Sequence, residues 1–171
     1  MRKFILVFIL SLNLFGANEL KFKSLIGEFT QTITSQDQKI IYTGSLAIDS
    51  DFGAFWQYNT PMQKLIYFNN NRVIIIEPEL EQAIITNLKS SPDITKILKN
   101  AKKLSDDNFQ AVYEDVVYDI ITQNSLPKLI AYEDKLGNKA IIEFTQISID
   151  KIISKDILTP QIPSNYDIIS N

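Results

Sequence analysis

The chain begins Met1-Arg2-Lys3, runs unbroken through apolar residues from Phe4 to Leu10, and reaches the small pair Gly16-Ala17. A positive start, a short apolar stretch and a small-residue end predict a secretory signal peptide over residues 1–17, cut after Ala17. The run falls short of the about 20 apolar residues a bilayer span needs. Residues 18–171 hold no repeat and no Pro/Gly/Ser-rich linker, so they are expected to form a single domain. Leu20, Phe22, Leu25, Ile26 and Phe29 fit one face of a helix over residues 19–29.

From Glu28 the apolar period shortens to two. Along Lys39 to Asp49, Ile40, Tyr42, Gly44, Leu46 and Ile48 share one face, with Thr43, Ser45 and Asp49 on the other. Short strands are predicted over 54–59, 63–68, 72–77 and 82–87, separated by turn residues such as Asn59-Thr60-Pro61 and Asn69-Asn70-Asn71. Ser91-Pro92-Asp93 then predicts a helix start. Ile94, Ile97, Leu98 and Ala101 follow at i, i+3, i+4 and i+7, with Lys96, Lys99, Lys102 and Lys103 facing away. Strands resume over 109–113, 116–122 and 128–133, and Lys135-Leu136-Gly137-Asn138 closes a hairpin into 139–147. Pro160 and Pro163 put the last segment at a sheet edge or in coil. The fold class is mainly β with helices, α+β, with an antiparallel sheet that curls round its helices or closes on itself.

Composition narrows the chemistry. The chain has no cysteine and no histidine. It therefore has no disulfide, no thiol to carry an acyl anchor, no histidine-based nucleophile system and no ordinary zinc site. Removing Arg2 and Lys3 leaves 15 basic against 20 acidic residues, and no basic stripe tracks phosphates. The cluster Lys99 to Lys103 reads as the solvated face of a helix. Glu114-Asp115, Asp106-Asp107 and Glu77 with Glu79 read as turn charges rather than a catalytic pair, and Asp49-Ser50-Asp51 lacks a full calcium-ligand pattern.

Several motifs stand in a telling order: Phe29-Thr30-Gln31, Gly44-Ser45-Leu46, Phe55-Trp56-Gln57-Tyr58 running to Pro61, and Ile74 to Pro78 followed by Gln82. Pro127-Lys128-Leu129, Asp134 with Gly137-Asn138, and Ile162-Pro163 leading to Asp167-Ile168-Ile169 complete it. In this order they resemble the LolA family of periplasmic lipoprotein carriers across residues 18–171. The resemblance implies a half-open, strongly curved antiparallel β-barrel of about 10–11 strands covered by lid helices. It implies a periplasmic protein that binds the acyl chains of lipoproteins released from the inner membrane by an ABC-type complex. The cargo would then pass to an outer-membrane acceptor. The acceptor resembles the carrier but is lipid-anchored through cysteine, which this chain lacks. No cofactor, metal, nucleic acid or enzymatic step is implied, and a monomer is expected. Two positions depart from the family. Ser50 stands where better-known members hold the lid with an arginine, and Asn165 stands where the tail often has glycine.

On the alternating strands the expected cavity wall is Leu46, Ile48, Trp56, Tyr58, Leu65, Ile74, Ile76, Ile142 and Phe144, and the expected lid is Ile94, Ile97, Leu98 and Ala101. The same residues would also make an ordinary closed core. A carrier of another amphiphile, such as a fatty acid or glycolipid, and a non-carrier envelope module remain alternatives at this point.

Overall fold

The computed structural model describes residues 20, 22–36, 38–69, 72–87 and 94–170. The expected signal peptide and the Ser91-Pro92-Asp93 helix start lie outside the described residues. The elements are β1 (Ser24–Ser35), β2 (Gln38–Asp49), β3 (Gly53–Thr60), β4 (Lys64–Asn69), β5 (Arg72–Glu77), β6 (Gln82–Asn87), α1 (Ile94–Lys99), β7 (Lys102–Ser105), β8 (Asn108–Tyr113), β9 (Val116–Gln123), β10 (Leu126–Glu133), β11 (Lys139–Ile149), α2 (Lys155–Leu158) and β12 (Asp167–Ser170). The strands join one sheet in the order β12-β6-β5-β4-β3-β2-β1-β11-β10-β9-β8-β7. Its two ends do not pair, so this is an open curved sheet with β12 and β7 as edges.

Three expectations need correction. Residues 24–29 belong to β1, paired on both sides with β2 and β11, rather than to an N-terminal helix. Leu25 and Phe29 stand four apart, which satisfies a two-residue period as well as a helical one, and pairing on both edges decides for strand. The internal helix is also shorter than expected. Lys102 and Lys103 have left it and start β7. With β12 added, the sheet has 12 strands rather than 10 or 11, and β12 joins β6 in parallel at the edge.

Turn chemistry sets much of the register. Glu114 and Asp115 both have positive φ between paired Tyr113 and Val116, and Asn124 and Ser125 do the same between Gln123 and Leu126. Two consecutive left-handed residues match the right-handed twist of a tight hairpin. In the β10–β11 hairpin the Asp134 carboxylate accepts the backbone N–H groups of Leu136 and Asn138, both at 2.9 Å, and the Asn138 Nδ2 at 2.8 Å. These bonds hold its carboxyl below the usual carboxylate range, the Asn138 side chain contributing most. Gly137 supplies the φ of 83° that the turn requires.

Strand parity gives the sheet two faces. Leu46, Trp56 and Ile66 lie on one rung, and Ile48, Ala54 and Phe68 on the next. With Phe29, Phe144, Ile142, Ile130 and Ile120 they line the inner face, the one that α1 covers. Gly44 is needed here for space. A Cβ at that position would overlap the Gln57 carbonyl oxygen and the Phe29 ring. The far end of the inner face closes on a polar rung, Tyr58-Lys64-Glu77-Gln82. Glu77 is buried, bonded to Lys64 Nζ at 2.8 Å and to Gln82 Nε2 at 2.5 Å.

Gly44→Ala is expected to cost about 1–3 kcal/mol through overpacking, read as a lower urea midpoint with an unchanged slope. An unchanged midpoint would show that Phe29 is free to move aside.

Hydrogen bonds from Lys64, then Gln82, lower the Glu77 carboxyl below its ordinary value. A depressed folded value means stability that is fully present above the unfolded value of about 4.3. It is lost as pH falls further, through the folded value. Glu77→Gln should therefore melt lower than the parent at pH 7, with the gap narrowing below pH 4. A gap that does not change with pH would rule out the charged form as the source.

Candidate functional site

Helix α1 packs on the inner face, and most helical stability in a protein comes from such packing of an apolar face. Ile94, Ile97, Leu98 and Ala101 are buried in one cluster with Leu46, Ile48, Trp56, Ile142 and Phe144. Ile97, Leu98 and Ala101 are at most 1% exposed. Ala101 lies just past the last helical residue and still points into the cluster. The helix is also tied by a polar contact. Lys99 Nζ donates to the Ser50 backbone carbonyl at 3.0 Å, across the β2–β3 turn. The turn is itself rigid, because the buried Asp49 carboxylate accepts the N–H groups of Asp51 and Phe52. Ser50 thus receives a cation from the helix, rather than sending one to it.

Aromatic side chains form the floor beneath the helix. The Phe29 ring lies 4.8 Å from Trp56 and 5.0 Å from Tyr58, Tyr58 lies 5.7 Å from Tyr42, and Trp56 lies 6.4 Å from Phe144. Tyr58 donates its hydroxyl proton to Gln31 Oε1 at 2.8 Å. Burial, followed by the nearby Tyr132 and Tyr42 phenols, pushes the Tyr58 phenol well above its ordinary value, so it stays a neutral donor. Tyr42, Tyr58 and Tyr132 are half-buried and lie at the opposite end of the inner face from the Ser50 turn.

Three of the expected wall residues face the other way. Leu65, Ile74 and Ile76 lie on the outer face with Phe55, Tyr67 and Ala83, where Ile162 and Tyr166 of the C-terminal segment cover them. β4 reads Lys-Leu-Ile-Tyr-Phe-Asn, apolar at four successive positions, because both of its faces are covered. Alternation cannot choose a face for such a run. Pairing of Trp56 with Ile66 chooses it, and the inner residues there are Ile66 and Phe68. Leu25, Phe29, Phe109, Tyr118, Ile120 and Ile130 belong to the inner cluster and escaped the sequence reading. On β9 a marker was available, since Asp119 on the outer face fixes Tyr118 and Ile120 as inner.

Among the described residues α1 is the helix that joins the inner cluster, and Leu20 and Phe22, ahead of β1, join it too. α2 packs beside β3, with Leu158 buried and its carbonyl accepting from Asn69 Nδ2. Of the carboxylates weighed earlier as pairs, Asp106, Asp107, Glu114 and Asp115 lie exposed in turns, whereas Glu77, expected as a turn charge, is a buried residue at the end of β5 held by Lys64 and Gln82. No described helix is long and apolar enough to cross a membrane.

This open sheet with a helix on its apolar face agrees with the comparisons. The family profile described as outer membrane lipoprotein carrier protein LolA matches residues 20–128. The chain belongs to the LolA family. An outer-membrane lipoprotein carrier protein from Campylobacter jejuni is 32% identical over 99% of both chains. One from Wolinella succinogenes is 34% identical over 91% of this chain and 94% of its own. Among solved structures, a LolA superfamily protein from Nitrosomonas europaea matches with a TM-score of 0.51 at 9% identity, covering 84% of this chain and 93% of its own. An uncharacterized conserved protein from Thermus thermophilus matches at 0.54 and 8% identity, covering 89% and 93%. At such identities these two speak for the LolA fold alone.

Removing the α1 tie tests how the helix is held. Lys99→Met should leave the sheet intact and speed amide exchange at Leu98 to Ala101 about three- to fivefold, the size of one charge-assisted bond at the surface. Unchanged exchange would mean apolar packing alone holds α1.

Proposed function

We propose that this LolA-family protein is a periplasmic chaperone for lipoproteins. It takes up the acyl chains of lipoproteins released from the inner membrane, shields them in transit and delivers them to the outer membrane. The observation that carries the reading is the apolar inner face on which α1 packs its own apolar side chains. Each wet methylene costs about 0.8 kcal/mol, so acyl chains in water need a greasy wall. The inner face can serve as that wall once α1 is displaced. Ile94, Ile97, Leu98 and Ala101 then compete with the acyl chains for Leu46, Ile48, Trp56, Tyr58, Ile142 and Phe144. Net affinity becomes a small difference between two large burials, and cargo can leave without nucleotide hydrolysis.

An ABC-type complex in the inner membrane would supply the cargo, and an outer-membrane acceptor would receive it. Cleavage after Ala17 would deliver the carrier to the periplasm. The chain works as a monomer in this reading, as one unit over 18–171, with no cofactor, metal, nucleic acid or catalytic residue. The names of the relatives favour lipoproteins over fatty acids or glycolipids as cargo.

Spheroplasts holding a newly made triacylated lipoprotein in the inner membrane provide the test. Incubation with the processed chain, alongside its own releasing complex, should bring the lipoprotein into the soluble fraction as a one-to-one complex. Lipoprotein that stays in the membrane while the Campylobacter jejuni carrier releases it in parallel would count against the reading.

A further inference from the structure

Trp56 is the only tryptophan in the chain and lies in the centre of the inner face. It is 3% exposed, paired across the sheet with Leu46 and Ile66, and its ring meets those of Phe29 and Phe144. Its Nε1 is screened from solvent and has no hydrogen-bond partner. A buried indole N–H almost always finds an acceptor, and leaving one unpaired is costly. The neighbouring polar groups are already engaged, since Gln31 accepts the Tyr58 hydroxyl and also bonds Tyr132. The α1 side chains in the cluster are Ile94, Ile97, Leu98 and Ala101, which offer no acceptor. The closed arrangement therefore leaves this donor unsatisfied.

We infer that the Trp56 Nε1–H is a binding donor for an ester carbonyl oxygen of the acylated cargo. The inference rests on the carrier reading above. When acyl chains replace α1 on the wall, their methylenes accept nothing. The strong acceptors attached directly to the chains are the carbonyl oxygens at their heads, far better acceptors than an ether oxygen. An indole N–H is a donor only, and a carbonyl oxygen is an acceptor only, so the two match without a proton transfer. The bond forms in a dry apolar site, where it is stronger than in water. It also tips the competition in one direction. α1 and the acyl chains compete for the same wall, but only the ester-linked cargo satisfies Trp56. The site thereby distinguishes an acyl ester from a plain hydrocarbon of the same length.

Two synthetic probes separate this from general greasiness. One is a cysteine lipopeptide bearing a glyceryl group with two palmitoyl esters. The other is its dialkyl ether analogue, of equal chain length but without the carbonyls. The purified protein should bind the ester probe about five- to tenfold more tightly than the ether, the size of one buried hydrogen bond. Emission from the sole indole should lie further to the red with the ester than with the ether. Trp56→Phe keeps a ring and removes the donor, so whatever its affinity for the ether it should bind the two probes alike, without a preference for the ester. Equal affinity of the parent for both probes, with equal emission, would overturn the inference while leaving the carrier reading standing. Binding of neither probe would overturn both. The emission comparison needs no variant, so it stands even if Trp56→Phe folds poorly.

Discussion

The structure depends on one requirement, that an open sheet with an apolar inner face be covered. A closed barrel satisfies its own edges and hides its interior, whereas this sheet ends on β7 and β12 and cannot. Among the described residues the cover is α1 with Leu20 and Phe22. α1 draws its stability from Ile94, Ile97 and Leu98 on the sheet, so whatever occupies the sheet removes the helix's reason to be there.

The outer face would hold the wall together in the proposed carrier cycle, in which its cover leaves. On the β3–β6 half, Phe55, Tyr67, Leu65, Ile74 and Ile76 pack beneath Ile162 and Tyr166. β12 then continues the sheet beyond β6 in parallel. That half of the sheet is covered on both faces and can lose its inner cover without losing its whole core. The Glu77–Lys64–Gln82 rung closes one end of the inner face. The Asp49 turn fixes the other.

Much of the fold was legible in the sequence, and the misses have physical causes. The alternation of Ile40, Tyr42, Gly44, Leu46 and Ile48 fixed the inner face of β2, because polar Thr43 and Ser45 sit between them. The stripe at 94, 97 and 98 announced a buried helix face, with Ala101 buried just past the helix end. Leu25 and Phe29 misled, since a separation of four fits a strand and a helix equally. Leu65, Ile74 and Ile76 misled for another reason: β4 and β5 are apolar on both faces, so nothing within either strand marks inside from outside. Only tertiary pairing, Trp56 against Ile66, decides it. The covering of the outer face by Ile162 and Tyr166, far along the chain, is not visible to any local pattern.

Lys99 and Trp56 act on the same balance from opposite sides. The Lys99 bond to the Ser50 carbonyl exists only while α1 is seated, so it favours the covered state. The unpaired Trp56 N–H exists in that same state and disfavours it. Ser50 stands where better-known relatives are thought to place a lid-holding arginine, and here the cation comes from the helix instead. The tie to the backbone carbonyl is indifferent to the side chain at 50, which frees that position to be serine. A carrier needs its covered and loaded states to lie close in free energy, or it would hold its cargo permanently or never accept it. In the proposed cycle one surface bond would be lost on opening and one buried donor satisfied on loading; each is small, and terms of that size can set such a difference.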